Sequence, residues 1–277
     1  MVWGSFTITH IITLIVAVLI VVGLYFILKN KSEKTQTIVL FILSLSGIAA
    51  IIYNLVAWDS PLEYLPFHMC SINAMLLPIA VLTKNKQLCN LLLLWCAGAG
   101  MALVMNMADA ELFSWVFNFY YFPHVLELGI PILLFALGHS KMDYKCLPYT
   151  LLITLGIYTV VHFINLGINS YAIANNIVDW SGNIIQVNYM FSITPTNPIL
   201  QIMYNILPYS YWYMLLCIVV VGIYLAALYG CNYLYRKAKA KITIQNYQKG
   251  LIKPFIFLHN NHTALQLQNV FLLQPHL

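Results

Sequence analysis

The chain has 277 residues, of which 61% are hydrophobic and only 8% charged, with a mean hydropathy of +0.81 and a formal net charge of +5. A soluble domain carries about 25% charged residues, so this composition excludes a soluble globular protein and places the chain in a lipid bilayer. At about 20 residues per spanning helix there is room for six to eight spans plus connections. No nucleic-acid partner is implied, because the positive charge is explained by how the chain threads the membrane.

The predicted elements are seven apolar segments, at 10–28, 38–57, 66–82, 88–105, 122–140, 147–167 and 208–235. The first has no basic residue ahead of it and no A-x-A cleavage pattern after it, so it reads as a retained helix rather than a signal peptide. The third is short for a span, and Pro78 is expected to kink it; Pro131 stands similarly within the fifth. Gly98 and Gly100 in the fourth are expected to let helices approach closely. The connection 168–207 is long for a structureless loop and is expected to fold over a site as a lid. Residues 1–240 read as one membrane domain and 241–277 as a cytoplasmic tail whose structure the pattern does not define.

Charge gives the expected orientation. All thirteen Lys and Arg residues fall in alternate connections: Lys29, Lys31 and Lys34 between segments 1 and 2, Lys84 and Lys86 between 3 and 4, Lys141 and Lys145 between 5 and 6, and six from Arg236 onward. The other connections hold Asp59, Glu63, Asp109, Glu111 and Asp179 instead. Basic residues resist translocation and stay on the cytoplasmic side. The expected fold class is therefore all-α: a polytopic membrane helical bundle of about seven transmembrane helices, N-terminus outside and C-terminus cytoplasmic, in the cell membrane. Trp115, Tyr120, Tyr121, Trp180, Trp212 and Tyr213 read mostly as an outer interface belt.

In this topology His68, Cys70 and Asn73 lie in the outer third of segment 3, His124 and Glu127 in the outer turns of segment 5, and His162 and Asn165 near the outer end of segment 6. Three helices thus bring polar residues to one depth. His124 and Glu127 are three apart, so they share a face and are within reach of a hydrogen bond. Thr154, Tyr158, His162 and Asn165 make one polar stripe, which must face protein or a water-filled cavity. His68 and Cys70 are two apart, about 200° around a helix, so Cys70 is assigned to the cavity and His68 less firmly. Glu127 is the only acid inside a span, and an intramembrane acid defaults to a functional reading.

Cys70, His124 and Glu127 have the residue types of a nucleophile, its base and the group that orients the base. The expected chemistry is acyl transfer from a membrane lipid ester through a thioester, to water or to an acceptor hydroxyl. Backbone N–H groups at the start of segment 3, or the Asn73 amide, are candidates for the oxyanion site. His68, Asn73, Tyr158, His162, Asn165, Asn188 and Tyr189 are the candidate substrate contacts. A metal held by His68, His124, His162 and Glu127 is an alternative, but no tight His-x-x-x-His spacing supports it; no cofactor is expected. Cys89, Cys96, Cys217 and Cys231 read as packing residues and Cys146 as a reduced loop thiol, with no disulfide framework.

Three stretches resemble the YwaF-type family of bacterial integral membrane proteins: LPFHMCSINAMLLP (65–78), YYFPHVLELGIP (120–131) and NYMFSITPTNPILQIMYNILPYSYWY (188–213). The last departs from the family pattern, reading LPYSYWY where a Gly-Pro-Trp-Pro-Trp-Tyr-like run is common. That family is similar to eukaryotic membrane acyltransferases that remodel ether phospholipids, and more distantly to androgen-induced hydrolases that use Thr and His. The resemblance covers about 35–235 and implies a catalytic Cys at Cys70 and a catalytic His at His124; the stretch after Lys253 shares none of it. The rival reading is a small-solute binding or transport subunit, or a membrane protein without chemistry. The absence of an internal repeat and the position of the polar cluster near one surface count against a transporter.

Overall fold

The computed structural model describes the backbone of residues 2–58, 60–105, 110–179 and 181–259, with side chains as far as residue 238. Each predicted apolar segment is a helix: α1 (Ile8–Leu28), α2 (Glu33–Ala57), α3 (Met69–Thr83), α4 (Lys86–Val104), α5 (Trp115–Ala136), α6 (Leu147–Asn175) and α8 (Cys217–His259). A further short helix, α7 (Pro198–Ile206), lies in the long connection, and two 2-residue strands, β1 (Val2–Trp3) and β2 (Ala110–Glu111), pair antiparallel. Six of the described helices are long and apolar enough to cross a bilayer. The exception is α3: its 15 residues rise only about 22 Å at 1.5 Å each, against a hydrocarbon core of about 30 Å. The protein is a multi-pass membrane protein built as a helical bundle.

Local sequence explains most helix starts. Thr7, Ser32, Asn85, Ser114 and Asn197 each cap a helix, accepting a hydrogen bond from the N–H three residues on, which satisfies one of the donors that a first turn leaves unpaired. Helix α3 departs from this: its cap position is His68, and no side chain caps it. It runs through Pro78 and stops at Lys84, which adopts a left-handed φ of 51°.

The alternation of chain direction is visible in the contacts. Glu33 pairs with Lys84, joining the α1–α2 and α3–α4 connections, and Lys86 Nζ lies 2.7 Å from Asp143, joining α3–α4 to α5–α6. The connections that carry Lys29 through Lys145 therefore meet at one end of the bundle. At the other end the N-terminal strand pairs with the α4–α5 connection, and the Tyr189 hydroxyl donates to the Leu62 carbonyl across the α6–α7 and α2–α3 connections.

Helix α5 is the hub, packed on α1, α2, α3 and α4. In its apolar stretch 56% of the residues are buried, against 17% in α1, whose bare apolar side chains suit lipid. Close approach occurs at two glycines. A Cβ on Gly47 of α2 would stand 2.6 Å from the Ala74 Cβ of α3, and one on Gly129 of α5 would stand 2.6 Å from Val21 of α1. Gly98 and Gly100, expected to serve this purpose, have their nearest neighbours at 3.9 and 3.5 Å, ordinary contact distances. The aromatic belt is also narrower than expected. Trp115 and Trp212 are exposed, whereas Tyr121 and Tyr213 are core residues whose hydroxyls donate to the Thr13 and Phe191 carbonyls; Trp180 lies outside the described residues.

The chain divides into two compact units, Met1–Ile223 and Tyr224–Leu277. Every candidate site residue belongs to the first. The expected tail begins inside α8, whose helical backbone continues to His259, and the stretch beyond that lies outside the described residues.

Candidate functional site

A cavity of 230 Å³ lies between α2, α3 and α5, lined among others by Gly47, Cys70, Ser71, Tyr120, His124 and Glu127. Cys70 and Ser71 enter it from the first turn of α3, next to the uncapped helix start. His124 and Glu127 enter from the hub helix, where their three-residue spacing puts both on the cavity face. The three residues expected to share a site therefore line one hollow. Among the described residues the lining contains no Lys or Arg.

The hydrogen bonds assign distinct roles. His124 Nδ1 lies 2.6 Å from the Tyr120 carbonyl oxygen, and its ring lies against the Tyr120 ring with centroids 4.4 Å apart. A carbonyl only accepts, so Nδ1 carries the proton and donates, and the neutral ring keeps its lone pair on Nε2. The orienting role expected of Glu127 is thus filled by a backbone carbonyl one turn earlier. Glu127 is 4% exposed, and its Oε2 has no hydrogen-bond partner among the described residues. Its Oε1 lies 3.1 Å from where a Gly47 Cβ would stand, so the carboxyl packs closely against the glycine of α2. The Ser71 hydroxyl and backbone N–H lie beside the Cys70 sulfur.

The other candidates lie elsewhere. Asn73 is 1% exposed, both its side-chain polar atoms lack partners among the described residues, and it does not line the cavity. Tyr158, His162, Asn165, Asn188 and Tyr189, and His68 with them, belong to a second polar system formed by α6 and the connection that follows it. The Tyr158 hydroxyl donates to the Tyr211 carbonyl at 2.8 Å. His162 Nδ1 lies 3.0 Å from Ser192 Oγ. Asn165 accepts from Tyr189 N–H at 3.0 Å and donates to the Tyr189 carbonyl at 2.8 Å and to Ser192 Oγ at 2.9 Å. Asn169 binds both backbone groups of Val187 in the same fashion. Asn188 caps its own turn, accepting from Ile193 N–H at 2.9 Å.

Tyr158, His162 and Asn165 of the α6 stripe therefore bind the connection instead of facing the cavity, whereas Thr154 accepts from the Trp95 ring N–H of α4 at 2.9 Å. The connection, expected to act as a lid, is a strap packed on α6 and on the approach to α3, and none of its described residues lines the cavity. His68 faces this strap while Cys70 faces the cavity: His68 is the extended residue ahead of α3, with φ of −71° and ψ of 150°, and Cys70 lies within the first helical turn. Among the described residues no group of three or more His, Cys, Asp or Glu side chains is arranged to hold a metal; the strap engages His68 and His162, away from His124. His10 is also fully buried, with Nδ1 accepting from Phe6 N–H at 2.9 Å and Nε2 at 2.7 Å from the Leu103 carbonyl.

Sequence reasoning missed Ser71, the Tyr120 carbonyl, Ser192 and Asn169. Asn169 continues the α6 stripe by one turn and was available from spacing alone. A backbone carbonyl leaves no sequence signal.

These features define a polytopic helical membrane protein with a Cys–His cavity against its central helix. The chain belongs to the TMEM164 family, whose match spans residues 5–229 and so takes in the whole cavity and the whole strap. No curated protein and no solved structure matches the chain.

Proposed function

We propose that the protein is a Cys/His-dependent lipid acyltransferase or hydrolase, acting on a membrane lipid ester at the outer leaflet with its N-terminus outside and its basic end in the cytoplasm. One observation carries the reading: Cys70 and His124, from different helices, line a single cavity, with His124 held in the tautomer that leaves Nε2 free. The resemblance of 65–78, 120–131 and 188–213 to the YwaF-type family, and through it to lipid acyltransferases, supports the same residues.

In this mechanism Nε2 of His124 takes the Cys70 proton, and the sulfur attacks the ester carbonyl. The C–S bond forms, the C–O bond breaks, and the proton passes from His124 to the leaving alkoxide. Water or an acceptor hydroxyl, deprotonated by the same nitrogen, then attacks the thioester and returns the thiol. The N–H groups of the first turn of α3, which no side chain caps, are the candidate donors to the oxyanion, a role typically worth about 10²–10³ in rate. Glu127 would stabilise the imidazolium formed in each half-reaction.

The test is acyl capture. Purified protein in vesicles is incubated with a phospholipid bearing a fluorescent acyl chain, and hydroxylamine-sensitive label is mapped by mass spectrometry. Label at Cys70, lost in Cys70→Ser together with turnover, is the expected result. Turnover that survives in Cys70→Ser excludes the mechanism. Saturable solute binding without any turnover in the unmodified protein would favour the binding or transport reading.

A further inference from the structure

The first turn of α3 sits between two systems. One face, with Cys70 and Ser71, lines the cavity. The other, with Met69 and Ile72, packs with Leu65 and Phe67 against the buried strap residues Tyr189 and Met190. The junction between them is His68. Its Nδ1 accepts from the Met190 N–H at 3.3 Å, and its ring is held between Tyr189 at 5.3 Å and Phe191 at 5.5 Å.

The strap has an unusual conformation at this point. Met190 and Phe191 are consecutive non-glycine residues in the left-handed region, with φ of 52° and 55°, and Tyr211, which returns to the strap through its N–H to the Ser192 carbonyl at 2.7 Å, has φ of 68°. Such residues persist only where surrounding contacts over-determine them. The contacts responsible are those of α6: Asn165 holds both backbone groups of Tyr189, and Ser192 is shared by His162 and Asn165. The left-handed pair turns the Met190 N–H toward His68. A helix start that lacks its own cap is thereby fixed from outside.

We infer that His68 is a positioning residue, linking the strap held by α6 to the first turn of α3 and so setting where the Cys70 sulfur stands in the cavity. The link to turnover rests on the function proposed above; the link to the sulfur's position does not.

The test therefore reads the sulfur directly. Full-length protein in detergent micelles is treated with N-ethylmaleimide, and labelling of each cysteine is followed by mass spectrometry, with the buried Cys89 as internal reference. His68→Phe keeps a ring but loses the acceptor, His68→Asn keeps an acceptor, and Asn165→Ala loosens the strap without touching α3. The expected result is Cys70 labelling at least fivefold faster in His68→Phe and in Asn165→Ala, and within twofold of the unmodified protein in His68→Asn, with Cys89 unchanged in all three. Faster hydrogen exchange in 66–73 should accompany the first two. Where turnover is measurable, kcat should fall with KM unchanged. If His68→Phe misfolds, shown by Cys89 becoming reactive, the Asn165→Ala and His68→Asn pair carries the test alone. Unchanged Cys70 labelling in either loosened variant, or equal acceleration in His68→Asn, overturns the inference, whatever the protein proves to turn over.

Discussion

His124 Nδ1 and the carbonyl oxygen of Tyr120 stand 2.6 Å apart on adjacent turns of α5. A backbone carbonyl is a fixed acceptor, so the imidazole is held in one tautomer without a charged partner. Asparagine at this position could keep the bond through its own N–H group while lacking any base. His124→Asn is therefore expected to fold as the unmodified protein does and to lose about 10²–10⁴ in turnover, the usual contribution of a general base. Lipid-ester turnover and the thermal midpoint in one detergent check this; more than a tenth of the activity remaining would remove His124 from the mechanism.

Glu127 supplies a contrasting case. A buried polar atom without a partner costs about 1–3 kcal/mol, and replacing such a group by an apolar side chain of similar shape removes that cost. Glu127→Met, of similar length, is thus expected to raise stability by about 1 kcal/mol or more while lowering turnover at least tenfold. A Met variant destabilised in a denaturation series would show that Oε2 has a partner in solution.

The Gly47 contact predicts a steric effect. Adding one methyl places a Cβ 2.6 Å from Ala74 and 3.1 Å from the Glu127 carboxyl, which forces α2 away from α3. Gly47→Ala is expected to cost about 1–3 kcal/mol, the usual range for overpacking. Gly98→Ala, with its nearest neighbour at 3.9 Å, should stay within about 0.5 kcal/mol. Paired thermal denaturation of the two variants distinguishes a specific close approach from a general sensitivity of helical glycines.

The bundle was legible because hydrophobic length and the Lys and Arg positions are properties of single segments, and each of the seven segments is a helix. The cavity was legible in part for the same reason: the three-residue spacing of His124 and Glu127 needs only helix geometry, and Cys70 follows from depth. The α6 stripe was expected to face protein or a water-filled cavity, and which of the two it meets was not legible. Tyr158, His162 and Asn165 bind main-chain atoms of Tyr211 and Tyr189 or the Ser192 hydroxyl, and a main-chain partner has no residue type to recognise. Depth alone placed His162 beside His124; only the packing of the strap separates them. The glycines failed for a related reason, since Gly98 and Gly100 look like a contact motif, whereas a close approach depends on what the opposite helix presents.

At the basic end, the Lys86 ammonium and the Lys145 N–H hold the Asp143 carboxyl below the usual carboxylate range. A lowered folded value means that the contribution is fully present above the ordinary value of about 4 and is lost as the pH falls through the lower folded one. Protection of the 141–146 segment against hydrogen exchange, taken relative to the intrinsic exchange rate at each pH, should therefore fall on acidification below about pH 4, and Asp143→Asn should remove that dependence. The carboxyl is partly exposed, so the effect should be small and reduced by salt.

The strap makes the most demanding structural claim, because one side chain satisfies both backbone groups of a buried residue. Asn165→Leu preserves size and helix propensity but removes the partners of the Tyr189 N–H and carbonyl and one donor to Ser192. Each buried group left unpaired costs about 1–3 kcal/mol, so the two Tyr189 groups alone come to about 2–6 kcal/mol. Local release of the strap is the cheaper outcome for the molecule, since the packing among α2, α3, α4 and α5 does not pass through it. Limited proteolysis should consequently cut within 177–210 at least tenfold faster, while the helices of the bundle stay protected. Uniform loss of protection across all helices would mean that the strap is integral to the bundle and does not open as a separate unit.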